Sequence, residues 1–200
     1  EYKTDLDLGE IPLIADMSSN IMSKPIDVKK YAMIYAGAQK NIGPAGAVLA
    51  IIRKDMVAKI NPNLPTMMNY KTHIDKDSMF NTPPTFSIYV IGRVLNWIKQ
   101  KGGLEAIEKM NIEKANYLYN ILDSSNFYRG TVVPEDRSLM NIPFRLPTED
   151  LEKKFIAETA RKGMLNLKGH RSVGGCRASF YNSLPMESAQ TLAAFMLVFE

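Results

Sequence analysis

The sequence contains very little cysteine and histidine. Its 200 residues include one cysteine, Cys176, and two histidines. A single cysteine cannot form an intramolecular disulfide or a multi-cysteine metal site, and two histidines without cysteine partners argue against a zinc site. We therefore expect no metal centre and no disulfide framework.

The sequence also lacks long apolar runs. None approaches the roughly 20 residues that a membrane-spanning helix needs. The first ten residues, EYKTDLDLGE, have neither the basic nor the apolar region of a secretory signal peptide. We therefore expect a cytoplasmic protein that does not associate with a membrane.

Charge of one sign is not concentrated anywhere in the chain. The net charge is +4, and the 25 basic residues are scattered among 21 acidic ones. Nucleic-acid binding domains usually carry their basic residues in a patch or stripe, so we expect no nucleic-acid partner. This charge distribution still allows a few neighbouring basic side chains to bind a small anion.

The hydrophobic pattern predicts an α/β protein. Hydrophobic residues make up 46% of the chain, which is enough for one large core or two small ones. The apolar segments 11–15, 31–38 and 47–53 indicate strands. Because they are apolar on both faces, we expect a mostly parallel sheet that is covered by helices on each side.

The second half of the sequence predicts a smaller α+β domain, with a boundary near Gly102. Apolar residues at spacings of three and four indicate a helix from Thr85, which Gly102 and Gly103 terminate. The remaining elements are expected to be helix 104–122, strand 138–146, helix 148–163 with Thr148 as its N-cap, strand 164–167, loop 168–175, strand 176–181 and helix 185–200.

The segment YAGAQKNIGPAG, residues 35–46, places Lys40 among small residues after a predicted strand. A buried and unpaired charge is costly, so such a lysine either reaches water or has a chemical role. The small neighbours leave room for a planar ligand, and partial desolvation would make the amine nucleophilic. Lys40 is therefore a candidate Schiff-base lysine for pyridoxal phosphate. A P-loop is excluded because the Gly-Lys-Ser/Thr order is missing.

Asp16 is the candidate partner of that cofactor. Pyridoxal phosphate needs an acidic group beside its pyridine nitrogen. Asp16 follows an apolar segment, and the ends of neighbouring parallel strands converge on one crevice. A competing interpretation makes Asp16 a turn or helix cap supported by Ser18 and Ser19, and composition alone favours that interpretation.

Four segments, ADMSSN, YAGAQKNIGPAG, FNTPPTFSIY and GHRSVGGCRASFYN, together resemble the phosphoserine aminotransferases, which are fold-type I pyridoxal-phosphate enzymes of the class V aminotransferase group. They follow one another in the order of that family. The resemblance implies a transaminase of serine biosynthesis that interconverts 3-phosphohydroxypyruvate and glutamate with phosphoserine and 2-oxoglutarate. It leaves open whether the phosphorylated hydroxythreonine substrate of vitamin B6 synthesis is also used.

The resemblance also implies roles for individual residues. Lys40 would form the Schiff base and then move the proton between substrate and cofactor, and Asp16 would pair with the pyridinium nitrogen. Gln39 would contribute to cofactor binding. Asn81 and Thr82 would reach the cofactor phosphate of the other subunit, so the resemblance implies a homodimer with shared active sites.

The segment GHRSVGGCRAS places His170, Arg171 and Arg177 within eight residues, among several glycines. Glycine lets the backbone come close to a ligand, and arginine presents a planar fork to carboxylate or phosphate oxygens. The resemblance implies that Arg177 binds the substrate α-carboxylate, whereas His170 and Arg171 bind the phosphate. A glycine-rich loop with solvated charges is the alternative.

Cys176 raises the possibility of a cysteine desulfurase, because those enzymes share the fold and use a cysteine nucleophile. Their nucleophile lies on a mobile loop. Cys176 instead begins a predicted strand, where alternation directs Cys176 and Arg177 to opposite faces. We therefore interpret Cys176 as a small buried hydrophobic residue.

Members of the phosphoserine aminotransferase family have additional residues at the amino end. On this basis residues 1–101 are expected to be the C-terminal half of the large cofactor-binding domain, without its N-terminal half, and residues 102–200 the small C-terminal domain. Two hypotheses follow. The chain is either the catalytic portion of a working aminotransferase, or a truncated fragment that acts only as a folding or dimerisation unit.

Overall fold

The computed structural model describes residues 8–200. The chain forms two compact units, one that ends at Lys101 and one from Gly102 to Glu200. Each unit has its own three-stranded sheet and its own hydrophobic core. Among the described residues, no helix has both the length and the apolar character needed to cross a membrane.

The first unit combines a small sheet with one long helix and several short ones. Its strands and α-helices are β1 (Ile14–Asp16), β2 (Met33–Gly37), β3 (Val48–Ile52), α1 (Lys54–Val57), α2 (Tyr70–Ile74) and α3 (Thr85–Gln100). Short 3-10 helices occupy Val28–Lys30 and Thr66–Met68. The predicted strands and the long helix are all present, although the strands are shorter than the apolar segments.

The sheet of the first unit is mixed, whereas the sequence predicted a mostly parallel one. Strands β1 and β2 are parallel, with Asp16 beside Tyr35. Strands β2 and β3 are antiparallel. Their connection, residues 38–47, is shorter than the roughly dozen residues that a parallel crossover needs, so the chain has to reverse direction.

The two faces of this sheet differ, which corrects the expectation that both would be buried. Ile34 and Ala36 of β2 are buried in the core of the unit. On the other face, Ile14, Tyr35 and Val48 are 54%, 37% and 67% exposed. The sheet alternates in this way because, within residues 8–200, the packing partners of the first unit lie on one face only.

The second unit packs helices against an antiparallel sheet. Its elements are α4 (Leu104–Ser124), β4 (Arg129–Gly130), β5 (Asn141–Arg145), α5 (Glu149–Arg161), β6 (Cys176–Ser179) and α6 (Met186–Phe199), with a 3-10 helix at Pro134–Asp136. The predicted N-cap is confirmed, since the Thr148 hydroxyl accepts a hydrogen bond from the Leu151 amide at 3.2 Å.

The predicted strand 164–167 is wrong. Those residues have no regular structure, and the nearest sheet contact is an isolated bridge between Lys168 and Cys176. Gly163 and Asn166 have φ angles of +81° and +63°, which are incompatible with an extended strand on either side. The chain therefore changes direction twice between α5 and the loop that follows.

An aromatic cluster fixes β5 in the core of the second unit. Phe144 of β5 packs edge to face against Tyr128 and Phe155, with ring centroids 6.1 and 5.8 Å apart. The Tyr128 hydroxyl also donates to the Met196 carbonyl of α6 at 2.9 Å. Because Phe144 points into the core, the next residue along the strand, Arg145, is directed to the opposite face.

Lys114 of α4 is completely buried and is held by backbone carbonyls. Its Nζ donates to the carbonyl oxygens of Tyr181 at 2.9 Å, Leu184 at 3.2 Å and Asn182 at 3.4 Å. These bonds attach α4 to the corner between β6 and α6. Burial of the ammonium group lowers the pKa of Lys114 from 10.5 to about 8.

This lowered pKa predicts a specific pH dependence of stability. Between pH 8 and 10.5 the unfolded chain keeps a proton on residue 114 that the folded chain has released, so the free energy of unfolding increases with pH. We expect the stability difference between the wild-type protein and Lys114→Met to increase by up to about 3 kcal/mol from pH 7.5 to pH 10.5.

Urea unfolding at several pH values measures this difference. Lys109 lies on the exposed side of the same helix, so Lys109→Met is the matched control. If the difference in the free energy of unfolding between the wild-type protein and Lys114→Met stays constant across this pH range, the pKa of Lys114 is not lowered.

Candidate active site

Lys40 lies in a turn that begins directly after β2. The amides of Ile42 and Gly43 both donate to the Ala38 carbonyl, at 3.2 and 2.9 Å. The Ala38 amide donates to the Ala47 carbonyl at 3.0 Å and closes the connection to β3. The backbone that carries Lys40 is therefore fixed by its own hydrogen bonds.

Neighbouring elements also anchor this turn from outside. The buried Asn41 side chain donates from Nδ2 to the Ile21 carbonyl at 2.7 Å. On the other side, the Ser87 hydroxyl of α3 donates to the Ala45 carbonyl at 3.0 Å. A turn anchored at two points can hold a reactive side chain in a defined place.

The Lys40 amine contacts a serine and is open to solvent. Its Nζ donates to the Ser19 hydroxyl at 3.0 Å. The sequence predicted a partly desolvated lysine, and within residues 8–200 this is wrong because the side chain is exposed. The small neighbours that leave room for a ligand also leave the amine accessible to water.

Asp16, at the end of β1, is held by the serine that follows the strand. Its Oδ1 accepts a hydrogen bond from the Ser18 amide at 2.8 Å, which is the turn contact that the competing interpretation predicted. The Ser18 hydroxyl and amide, followed by smaller contributions from Tyr35 and Lys40, hold the pKa of Asp16 below its usual value. The carboxylate is therefore anionic at neutral pH. The hydrogen bond within the turn still allows it to pair with a cationic group.

A single serine connects the two strand ends. The Gly37 amide, at the end of β2, donates to the Ser18 hydroxyl at 3.0 Å. The Gln39 side chain lies over Gly37, where an added Cβ would be 2.5 Å from Gln39 Oε1. A carboxylate, an amine and a carboxamide thus come from adjacent strand ends of one sheet.

This donor set fits pyridoxal phosphate. The Lys40 amine is accessible for a bond to the cofactor carbonyl carbon. The anionic Asp16 is suited to a protonated pyridine nitrogen. The absence of a side chain at Gly37 leaves the space that the Gln39 carboxamide occupies. These residues would hold the cofactor at the ends of β1 and β2.

Asn81 and Thr82 lie on an exposed segment that precedes α3. Asn81 Nδ2 donates to the Thr82 carbonyl at 3.2 Å. Within the described part of the chain, neither side chain forms a hydrogen bond with Asp16, Gln39 or Lys40. Their assignment to the cofactor of a partner subunit stays a prediction.

In the second unit, residues 169–175 form a closed loop, which we call the glycine loop. The Gly169 amide donates to the Gly175 carbonyl at 2.8 Å, so the two ends of the loop are joined. The His170 carbonyl accepts from the amides of Val173 at 3.0 Å and Gly174 at 2.8 Å. A Cβ on Gly169 would lie 1.9 Å from the Gly174 oxygen, so no other residue fits there.

The glycine loop presents His170 and Arg171 to solvent. His170 Nδ1 lies 2.8 Å from the Ser172 hydroxyl, and this contact restrains the imidazole ring. The two cationic residues predicted to bind phosphate are therefore adjacent and accessible on one small loop. Their role as phosphate ligands stays a prediction.

Arg177 lies two residues after the glycine loop, on β6. The burial of this strand alternates, so Cys176 and Ala178 face the core while Arg177 lies on the other face, as the sequence predicted. The Nε atom of Arg177 is buried and has no hydrogen-bond partner among residues 8–200. Arg177 as a whole is half-buried, and a guanidinium with an unpaired Nε is suited to an anionic ligand.

The sequence did not identify every residue that shapes these sites. Ser18 and Ser19 were interpreted only as caps, although their position directly after Asp16 was a usable signal. Arg145 and Glu152 form an ion pair behind the glycine loop, with Nε and Oε1 2.5 Å apart. No local pattern connects these two residues with a loop that lies some 20 residues further along the chain.

Most of the chain matches one protein family. The family model described as aminotransferase class-V matches residues 8–192. A phosphoserine aminotransferase of Lysinibacillus sphaericus (strain C3-41) is 55% identical over 195 residues, which are 97% of this chain and 54% of that protein. The chain thus spans about half the length of the curated relatives it matches.

Solved structures of phosphoserine aminotransferases are also similar to this chain over nearly its whole length. The phosphoserine aminotransferase from Bacillus circulans subsp. alkalophilus is 48% identical with a TM-score of 0.96, covering 100% of this chain and 55% of that one. The pyridoxal-phosphate-bound phosphoserine aminotransferase from Trichomonas vaginalis is 42% identical with a TM-score of 0.93, covering 98% of this chain and 56% of that one. The fold is therefore that of fold-type I aminotransferases, as predicted.

Cys176 is buried as the sequence predicted, with 1% of its surface exposed. Burial, with a smaller contribution from the negative charge of Glu152, raises the pKa of the thiol to about 12. We therefore expect no reaction of native Cys176 with iodoacetamide at pH 8, and one labelled cysteine after denaturation in urea. Mass spectrometry of the two samples is the measurement, and rapid labelling of the native protein would restore the cysteine-nucleophile hypothesis.

Proposed function

Because the chain belongs to the class V aminotransferase family, we propose that it forms part of a pyridoxal-phosphate-dependent phosphoserine aminotransferase. The proposed reaction interconverts 3-phosphohydroxypyruvate and glutamate with phosphoserine and 2-oxoglutarate. The observation that carries the proposal is the placement of Lys40 and anionic Asp16 at adjacent strand ends, joined through Ser18 and Ser19.

Asp16 would control the electronic state of the cofactor. When bound, pyridoxal phosphate withdraws electrons from the substrate carbon that gains or loses a proton. Asp16 keeps its negative charge because the Ser18 hydroxyl and amide stabilise it. Its carboxylate oxygens would accept a hydrogen bond from the ring N–H and so keep the proton on that nitrogen.

Lys40 would bind the cofactor and carry the proton. The turn fixes the lysine backbone, while the Ser19 hydroxyl accepts a hydrogen bond from Nζ and orients the amine. As the free amine, Lys40 Nζ would take up the proton that the substrate carbon loses and hold it for return to the reacting atoms.

The glycine loop and β6 would bind the two anionic ends of the phosphorylated substrate. Arg177 offers a guanidinium with one buried donor without a partner, which suits the α-carboxylate that every amino-acid substrate carries. His170 and Arg171 are adjacent and accessible, which suits a phosphate with three acceptor oxygens.

We also propose a homodimer in which Asn81 and Thr82 serve the cofactor phosphate of the partner. Both are exposed in this chain, and α3 begins with two exposed aromatic residues, Phe86 at 73% and Tyr89 at 64%. An exposed apolar area of this kind is typical of a protein interface. A cytoplasmic location and the use of the vitamin B6 pathway substrate stay predictions.

The two arginines are expected to affect the half-reactions differently. A charge-assisted hydrogen bond contributes about 1.5–3 kcal/mol, and each ~1.4 kcal/mol is a factor of ten. In the full-length protein, Arg171→Ala should weaken the reaction with phosphoserine roughly ten- to a hundredfold and that with glutamate much less. Arg177→Ala should impair both, because both substrates carry an α-carboxylate.

Stopped-flow measurement of the two half-reactions distinguishes these outcomes. Arg161→Ala, on the exposed end of α5, is the matched control and should leave both rates unchanged. Equal losses for phosphoserine and glutamate in Arg171→Ala would show that the glycine loop does not recognise phosphate.

A further inference from the structure

Arg145, the last residue of β5, lies between a buried carboxylate and the glycine loop. Its Nε donates to Glu152 Oε1 at 2.5 Å. Its Nη1 makes a longer contact of 3.4 Å with the carbonyl oxygen of Val173 in the loop. The guanidinium therefore touches the Glu152 carboxylate of α5 on one side and the loop backbone on the other.

The aliphatic part of Arg145 supports the end of the same loop. Gly175 has a φ angle of +69°, and a Cβ added there would lie 2.5 Å from Arg145 Cδ and 2.9 Å from the Phe144 oxygen. The loop backbone thus packs directly on the arginine side chain. Because the Gly169 amide binds the Gly175 carbonyl, support at Gly175 also fixes the point where the loop begins.

Glu152 gives Arg145 a fixed attachment. It is 5% exposed, and its Oε1 accepts hydrogen bonds from Arg145 and from the Leu146 amide at 3.3 Å. It lies in the first turn of α5, whose start is fixed by the Thr148 cap. A buried carboxylate requires such partners, so Glu152 restricts the positions that the guanidinium can adopt.

We propose that Arg145, oriented by Glu152, is a positioning residue that holds the glycine loop in its anion-binding arrangement. The inference rests on the proposed function, in which His170 and Arg171 bind the substrate phosphate. A glycine-rich loop loses much conformational entropy when it closes on a ligand. A loop that is already supported by Arg145 loses less, and this difference increases the affinity for the phosphorylated substrate.

Arg145→Lys tests the proposal in the full-length, cofactor-loaded protein. Lysine keeps a positive charge for Glu152, but it lacks the planar fork that places one nitrogen on Glu152 and a second nitrogen on the loop carbonyl. We expect KM for phosphoserine to increase about tenfold, while kcat and the KM for glutamate stay within about twofold. Hydrogen exchange of residues 168–175 should also become faster. Arg161→Lys is the matched control.

The outcomes separate this inference from the proposed function. If the wild-type protein uses phosphoserine, but Arg145→Lys leaves KM unchanged or alters both substrates equally, the proposed function stands and the positioning role is wrong. If the wild-type protein does not use phosphoserine, both fail. Should Arg145→Lys not fold, Glu152→Met, which removes the acceptor that orients Arg145, must show the same selective increase in KM, and its absence overturns the proposal.

Discussion

The hydrogen bond from the Gly37 amide to the Ser18 hydroxyl connects the ends of two parallel strands, and the candidate cofactor site depends on it. Ser18 also binds Asp16 through its amide, and Ser19 contacts the amine of Lys40. This contact adds to the hydrogen bonds that pair β1 with β2, so Asp16 and the turn that carries Lys40 start from adjacent points of the sheet. Consecutive serines therefore hold a carboxylate and an amine in one place.

In the second unit, a buried aromatic cluster positions the charged side chains. Phe144 fixes β5 in the core, so that Arg145 lies beneath the glycine loop on the other face. The same alternation on β6 buries Cys176 and leaves Arg177 with a donor that has no partner among the described residues. In both units, reactive or charged side chains occupy the face or the end of an element that the core has already fixed.

Local patterns predicted much of this fold. The spacing of Phe86, Val90 and Val94 predicted α3, and Thr148 predicted the start of α5. The resemblance to phosphoserine aminotransferases, drawn from four short segments, is confirmed by the comparisons. The exposure of Lys40 was not predicted, because it depends on which parts of the folded unit pack around the turn. The antiparallel pairing of β3 was missed although the short connection 38–47 is visible in the sequence, and the pairing of Arg145 with Glu152 joins a strand to the next helix without a recognisable local pattern.

The central claim is that Lys40 binds the cofactor, and covalent trapping tests it most directly. The full-length protein is mixed with pyridoxal phosphate, reduced with borohydride, digested and mapped by mass spectrometry, with Lys40→Ala and the exposed-lysine variant Lys54→Ala as controls. We predict that the reduced cofactor is found on Lys40 in the wild-type protein and in Lys54→Ala, and that Lys40→Ala carries none. An adduct on another lysine, or none in the wild-type protein, would contradict the assignment of Lys40.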